Sequence, residues 1–471
     1  MPSELFLVLT LAFILFLFRR ESRYRRKVSA ALWIPLIWFL IAGSRFVSAW
    51  FDPRPASYRA AIEDGSPIDA TVFLCLILSG IYVLKQRHVT IAKFFRSNRW
   101  LTLFLLFCLI SALWSEFPFI AFKRWIKVLG HAVMILIVLT DPDPFEAMRT
   151  LLKRVGFVLV PLSILLINCY PRWGQGFDPV TGEPSYTGAA TDKNALGHLC
   201  MIVGIFFFWN VLQAFKIKNR TVRRNELCLS VLLLGLTCWL LKMSSSATSL
   251  VTFVVGVLTI GFLGIRFVDK RRVGIYLLAG IFAFAAAESL FGIYENLVHT
   301  LGRNLDLTDR TELWPNLLKL QPNPIFGAGF ESFWMGQRLD ELWARYSWYP
   351  NEAHNGYLEI YLSLGIVGVG LFAGVIIETF RKIRRELLSR VEVGRLRLGF
   401  FLAILVYNYT EAAFVSLHLV YAAFFLIAVE YPMARRLRPR RLAETTHSKA
   451  EESVVSAGAD IDGSRMRHFV Y

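Results

Sequence analysis

Charged residues are scarce in this chain: Asp, Glu, Lys and Arg make up 18% of its 471 residues, against about a quarter in a typical soluble globular protein. With 55% hydrophobic residues beside that scarcity, a soluble enzyme is excluded. Cysteine is sparse as well. The six cysteines (Cys75, Cys108, Cys169, Cys200, Cys228 and Cys238) lie within or at the ends of apolar runs, without metal-type spacing. A secreted disulfide scaffold is therefore excluded too, and most of the six read as small core residues. The first apolar segment lacks a small-residue cleavage site and runs into a basic stretch, so we read it as a retained helix and not as a signal peptide. No repeat with a period of roughly 20–50 residues is visible, and no duplicated halves of the kind many transporters show.

What the chain has is long apolar runs. FLVLTLAFILFLF (6–18), LTLFLLFCLISALW (101–114) and LVTFVVGVLTIGFLGI (250–265) recur in kind along most of its length. Runs approaching the ~20 residues needed to cross a bilayer read as transmembrane helices. We expect helices near 3–18, 28–49, 69–84, 101–114, 125–140, 155–169, 195–215, 227–243, 246–266, 273–290, 356–380, 398–413 and 415–432. The fold class is all-α and polytopic, with 12–13 transmembrane helices depending on whether the short first and last ones cross.

Acidic residues are outnumbered, 35 to 52, for a net charge of +17. The excess sits mostly in alternate loops and the tail, as in RRESRYRRK (19–27), KIKNRTVRR (216–224) and RRLRPRR (435–441). This is the pattern that positive charge follows on the cytoplasmic side. The charge therefore reports topology and contact with lipid headgroups, and a nucleic-acid partner is not expected. The N-terminus then falls outside and the C-terminus inside. Outward segments are 50–68, 115–127, 170–194 and above all 291–355. The last is about 65 residues long, and loops of that length are functional or disordered. Its many aromatics argue for order, and Asp309 with Glu312 three residues on has the form of a capping box. Residues 433–471 read as a disordered cytoplasmic tail.

The outward segments hold the candidate chemistry. His354 and Asn355 stand where the long loop re-enters the membrane as a helix, a position in which an imidazole can be tuned to accept a proton. The competing reading is an interfacial histidine that only satisfies backbone groups. Glu359, further into that helix, is either functional or a structural partner for an arginine. Gly365, Gly368, Gly370 and Gly374 read as close-packing positions. Arg310, the first helical residue if Asp309 is the cap, joins a guanidinium to free helix-terminal amides, a good cradle for pyrophosphate; a solvated loop arginine is the alternative. Lys123, Arg124 and Lys127 break the positive-inside pattern, through an external anionic partner or through snorkelling. Lys193 and Asn194 place another cation and an amide at an outward helix start. Trp314, Trp334 and Trp348 could stack on sugar faces or belong to an interfacial aromatic belt. No outward carboxylate cluster or His/Cys set with ligand spacing is visible, and the pairs Asp141/Asp143 and Asp460/Asp462 fall on the inner side, so no metal and no cofactor is expected.

The motifs KNALG (193–197), SSSATS (244–249), DRTELW (309–314), NPIFGAGFESF (323–333) and AHNGYLEIYLSLGIVG (353–368), in that order, resemble the O-antigen ligase and polymerase superfamily, most of all its exopolysaccharide polymerases. The resemblance is specific over about 187–375. It implies a glycosyltransferase C-like, multi-helix enzyme of the bacterial inner membrane with its active site facing the periplasm. Such an enzyme moves a glycan from an undecaprenyl-pyrophosphate carrier to an acceptor hydroxyl on a lipid-linked glycan or on lipid A–core, without a metal and with inversion. By the same resemblance His354 is the general base, Arg310 binds the pyrophosphate, and Arg124 is a second phosphate contact. Many ligases carry an arginine in the turn that here reads SSSATS, next to Ala247. This chain has only hydroxyls there, which shifts weight to Arg124 and Lys193 and favours a polymerase over a ligase.

The expected organisation is N-terminal helices over 1–186, a catalytic core over 187–380 that includes the loop 291–355, C-terminal helices over 381–432 and the tail. Expected partners are the lipid-linked donor, the glycan acceptor, membrane lipids, a flippase and a chain-length regulator. A flippase or exporter without chemistry is the rival from another class. Intramembrane charges and discontinuous helices would favour it.

Overall fold

The computed structural model describes residues 3–24, 28–51, 65–177, 182, 184–291 and 310–432. Within those ranges a few side chains at helix ends, Arg310's among them, lie outside the description, as do Asp309, Asp460, Asp462 and the tail 433–471. Residues Met1–Tyr431 form one compact unit.

In chain order the elements are α1 (Ser3–Tyr24), α2 (Trp33–Ala42), α3 (Val47–Phe51), α4 (Pro67–Gln86), α5 (Ile91–Ser97), α6 (Arg99–Ile110), α7 (Pro118–Leu139), α8 (Pro144–Cys169), α9 (Pro171–Gly174), β1 (Gln175–Phe177), β2 (Pro184–Tyr186), α10 (Lys193–Ala214), α11 (Arg220–Met243), α12 (Ala247–Phe262), α13 (Val273–Phe291), α14 (Arg310–Lys319), α15 (Gly336–Arg345), α16 (Gly356–Ser389), α17 (Val391–Thr410) and α18 (Leu419–Ala428). Every apolar segment named from the sequence falls on a helix. Five of these helices, α4, α8, α10, α11 and α16, are long and apolar enough to cross a membrane, and several other apolar helices are shorter. The protein is thus all-α and polytopic, apart from the short β1–β2 hairpin.

Helix starts follow local chemistry. Ser66, Asp143, Asp192 and Asn355 each accept hydrogen bonds from the first free amides of α4, α8, α10 and α16, which satisfies donors that have no partner inside the helix. Asp143 and buried Asp141 are thereby explained structurally: the second holds Ser29 and Arg87. The basic trio Lys123, Arg124 and Lys127 lies on α7, not on a loop, because the helix starts at Pro118. The cysteines divide: Cys108 and Cys200 are buried, but Cys75, Cys228 and Cys238 are exposed on helix surfaces, so only part of the set packs in the core.

Two apolar cores form. One runs through the helix bundle. The second belongs to the segment that leads into α16: Leu313 and Leu317 of α14 and Leu339 and Leu342 of α15 close around Phe333, Trp334, Tyr346 and Ala353. Residues 310–355 are accordingly an ordered cap, as their aromatic content foretold.

The cap is stitched to the bundle at a break in α16. Gly365 has φ 63° and ψ −167°, a region open essentially to glycine alone. The break frees two carbonyls and two amides, and segment 324–329 takes all four. Ala328 and Gly329 donate to Leu362 and Ser363 (3.0 and 2.9 Å), while Ile366 and Val367 donate to Pro324 and Ile325 (2.9 and 3.2 Å). Irregular backbone in a membrane protein persists where protein satisfies it in this way. The glycines of NPIFGAGF are forced by the same contact: a Cβ on Gly327 would stand 2.3 Å from the Ser363 carbonyl carbon, and one on Gly365 2.2 Å from the Ile325 oxygen.

Candidate functional site

The cap ends in Glu352-Ala353-His354-Asn355, and this tetrapeptide is gripped from every side. Trp314 Nε1 donates to the Ala353 carbonyl (2.8 Å), and the Ala353 amide donates to Glu359 Oε1 (2.5 Å). Glu359 is buried and takes the Trp334 indole N–H on both oxygens (2.9 Å each). Asn355 Oδ1 caps α16 through the Tyr357 and Leu358 amides. The Gly356 amide donates to the Glu411 carbonyl at the end of α17 (3.1 Å).

His354 itself has φ 48°, the left-handed region that non-glycine residues rarely occupy and that clusters at functional sites. Its Nδ1 faces two carboxylates, Glu352 Oε1 at 2.9 Å and Glu411 Oε2 at 3.4 Å. Burial works against the charged ring, but Glu352 and Glu411 outweigh it and push the imidazole up to about 10. With Nδ1 held by carboxylates, the neutral ring is fixed in the tautomer whose lone pair sits on Nε2. Trp348 lies against the ring, centroids 6.1 Å apart.

Glu411 is where the motifs meet. Asn194 Nδ2, in the first turn of α10, donates to Glu411 Oε1 (3.3 Å). Thr248 of the SSSATS turn shares a hydrogen bond with the neighbouring Thr410 (2.9 Å). That turn also packs on the KNALG helix, where a Cβ on Gly197 would be 2.5 Å from Ser249 Oγ. Ser244, Ser246 and Ser249 are buried, so these hydroxyls serve packing.

The structure thus brings His354, Asn355, Asn194 and Glu359 into one assembly, with Glu359 and Asn355 positioning the loop. Trp314 and Trp334 are committed through their indole nitrogens, and Trp334 is 7% exposed. Trp334 is therefore a core residue with no face for a sugar, which corrects the stacking role expected of it. Arg310 heads α14 one turn before Trp314; its side chain is outside the description. Lys193 opens α10 beside Asp192. Arg124 is not turned to open solvent: its guanidinium donates to the Glu331 carbonyl. Burial raises the Glu331 carboxyl, against the pull of Arg124, Ser416 and Lys127.

Glu352 and Glu411 were missed. Glu411 had a signal, an acid just past the apolar run LGFFLAILVY (398–407), whereas its partnership with His354 is purely tertiary. The sequence offered no carboxylate cluster, yet Glu352, His354 and Glu411 present ligand atoms within 4.8 Å of one another. That donor set is one a divalent cation can use.

Residues 230–373 match the family described as O-Antigen ligase. The chain is also similar to the exopolysaccharide production protein ExoQ of Rhizobium meliloti (strain 1021), 27% identical over 309 residues that cover 63% of this chain and 67% of that protein. The family match takes in the SSSATS turn, the cap, His354 and the break at Gly365. On both counts the resemblance to the O-antigen ligase and polymerase superfamily holds for this chain, and with it an O-antigen ligase- or polymerase-like, glycan-transferring function.

Proposed function

We propose that the protein is an inner-membrane glycosyltransferase that polymerises undecaprenyl-pyrophosphate-linked repeat units into exopolysaccharide or O-antigen on the periplasmic face. The observation that carries this reading is the clamped His354, backed by Glu352 and Glu411 at the mouth of α16. In the reaction the acceptor hydroxyl oxygen bonds to the anomeric carbon. The bond from that carbon to the carrier phosphate breaks, and its electron pair leaves with the pyrophosphate. The hydroxyl proton passes to His354 Nε2, and the resulting imidazolium is stabilised by the two carboxylates on Nδ1. General-base assistance of this kind contributes about 10²–10⁴-fold. Attack opposite the leaving group inverts the linkage.

Arg310, with Arg124 and Lys193, is proposed to neutralise the departing pyrophosphate, so that charge stabilisation comes from side chains without a metal. Trp314 bonds the Ala353 carbonyl and Trp348 lies against the His354 ring, and both are proposed to line the path of the glycan.

The test is the length distribution of carrier-linked and exported glycan in cells whose only copy carries His354→Ala. Single repeat units accumulate and long chains vanish if the reading holds. Long carrier-linked chains that fail to reach a final acceptor would make the protein a ligase, and a normal distribution would remove His354 from the chemistry.

A further inference from the structure

The tryptophans nominated for sugar stacking are largely occupied elsewhere, but another aromatic pair is open. A cleft of about 390 Å³ lies where the corner between α6 and α7 faces the segment that plugs the α16 break, lined by Trp114, Glu116, Pro322, Asn323, Phe326, Gly327 and Ala328. Trp114 and Phe326 are 38% and 43% exposed. Their ring centroids are 5.7 Å apart at 57°, so neither covers the other's face. Phe107 backs the Trp114 ring at 5.8 Å. At the rim Glu116 pairs with Arg338 Nη1 (2.6 Å), the carboxylate 58% exposed and the guanidinium 11%. Asn323 Oδ1 is used by the Ile325 and Phe326 amides, which fixes its side chain and leaves the amide nitrogen without a hydrogen-bond partner among the described residues.

Flat apolar faces beside a fixed carboxylate and a fixed amide suit a ligand that has C–H faces and hydroxyl edges at once. A hydrocarbon chain would use the rings alone, and a phosphate would meet Glu116. The floor of the cleft is rigid, because Ala328 and Gly329 are bound to α16 by the backbone bonds across its break, while Gly327 bonds back to the Asn323 carbonyl and packs against the Ser363 backbone. The same half-helix that starts beside His354 ends at this break, and its nine residues from Gly356 to Leu364 rise about 14 Å. A short oligosaccharide spans that distance.

We propose that this cleft is a carbohydrate subsite that holds a sugar unit of the glycan substrate several units away from the reacting end, with Trp114 and Phe326 as platforms and Glu116 and Asn323 as hydroxyl partners. The proposal rests on the glycan-transfer reading above. A site remote from the bond being made holds the chain between rounds, so losing it shortens products without abolishing coupling.

The experiment compares glycan length in cells whose only copy is wild type, Trp114→Ala, Trp114→Phe, Glu116→Gln or His354→Ala, at matched membrane levels of protein. Trp114→Ala is expected to lower the modal chain length at least twofold while short products persist. Trp114→Phe keeps a platform and should stay near wild type, and Glu116→Gln should shorten chains to a lesser extent. Unchanged lengths in Trp114→Ala, or equal shortening by Trp114→Phe, overturn the subsite. Shortening by Trp114→Ala with none by Glu116→Gln assigns the cleft to a hydrocarbon chain and overturns it too. Complete loss of product in Trp114→Ala moves Trp114 into the reacting centre, against the proposal. If Trp114→Ala does not accumulate, Phe326→Leu carries the same test. Normal long chains in His354→Ala sink the transfer reading itself. Loss of chains there with normal lengths in Trp114→Ala sinks only the subsite.

Discussion

His354 and Glu411 meet across 57 positions of sequence, imidazole Nδ1 to carboxylate Oε2 at 3.4 Å, and the amide after Asn355 bonds the backbone carbonyl of the same glutamate at 3.1 Å. One residue at the end of α17 therefore fixes both the charge and the backbone of the proposed catalytic loop. Glu411→Gln keeps the shape and removes the charge. We expect it to cut transfer by roughly one to two orders of magnitude, less than the 10²–10⁴-fold range for losing the base itself. The check is initial rate against pH with the purified protein: a positioning role moves the pH profile as well as the rate, and an unchanged profile would reduce Glu411 to a structural cap.

The profile has a predicted sign. Burial lowers the affinity of His354 for a proton, but Glu352 and Glu411 more than reverse this and bring the imidazole to about 10. Nε2 then carries a proton at neutral pH, and the rate should rise as pH climbs from 7 toward 10, because the base form is being populated. Glu352→Gln removes the stronger of the two attractions and should move that limb to lower pH. The stability contribution has the opposite direction. A raised histidine pKa stabilises the fold fully below the unfolded value near 6.5 and loses this as pH rises through 10. A rate that is flat between 7 and 9 would mean that His354 acts as a fixed cation.

How much of this was legible depends on the range of the interaction that carries it. The helices were readable because each is a long apolar run, a signal carried by residues adjacent in the chain. His354 and Asn194 were readable as polar groups at outward helix starts. Glu411 was not, since only the fold puts it beside His354. Trp334 was misjudged because an indole reads alike whether its N–H meets a sugar or, as here, the buried carboxylate of Glu359. The glycine-spaced stretch of α16 was read as one packing face, and the structure divides it. Gly374 packs on the Trp100 ring, Gly365 breaks the helix, and Gly370 faces open space. Periodicity cannot separate these roles.

The trio Glu352–His354–Glu411 allows a direct test of the metal-independent chemistry proposed above. Two carboxylates around an imidazolium are already partly charge-balanced, and a divalent cation would have to displace that proton. Treating the purified protein with EDTA should leave the transfer rate unchanged. A loss of more than tenfold that Mg²⁺, Mn²⁺ or Ca²⁺ restores would instead make these three residues a cation site, and the pH dependence would then belong to metal binding.

The break in α16 makes the most stringent demand on single residues. Gly365 lies at φ 63° and ψ −167°, where an alanine costs on the order of 1–3 kcal/mol in backbone strain alone. Its Cβ would also stand 2.2 Å from the Ile325 oxygen, in the middle of the bonds that tie the cap to the bundle. Gly327→Ala meets the same seam from the other side, 2.3 Å from the Ser363 carbonyl carbon. Both variants should lower the thermal midpoint in detergent markedly and uncouple the cap, exposing residues 324–329 to amide exchange. Gly370→Ala, on the same helix with nothing within 4 Å of the new methyl group, should be neutral or slightly stabilising, because alanine is the better helix former by up to about 1 kcal/mol. If all three variants melt alike, the break is not what anchors the cap, and the rigidity assigned to the His354 loop must come from the bonds that Trp314, Glu359, Asn355 and Glu411 make to it.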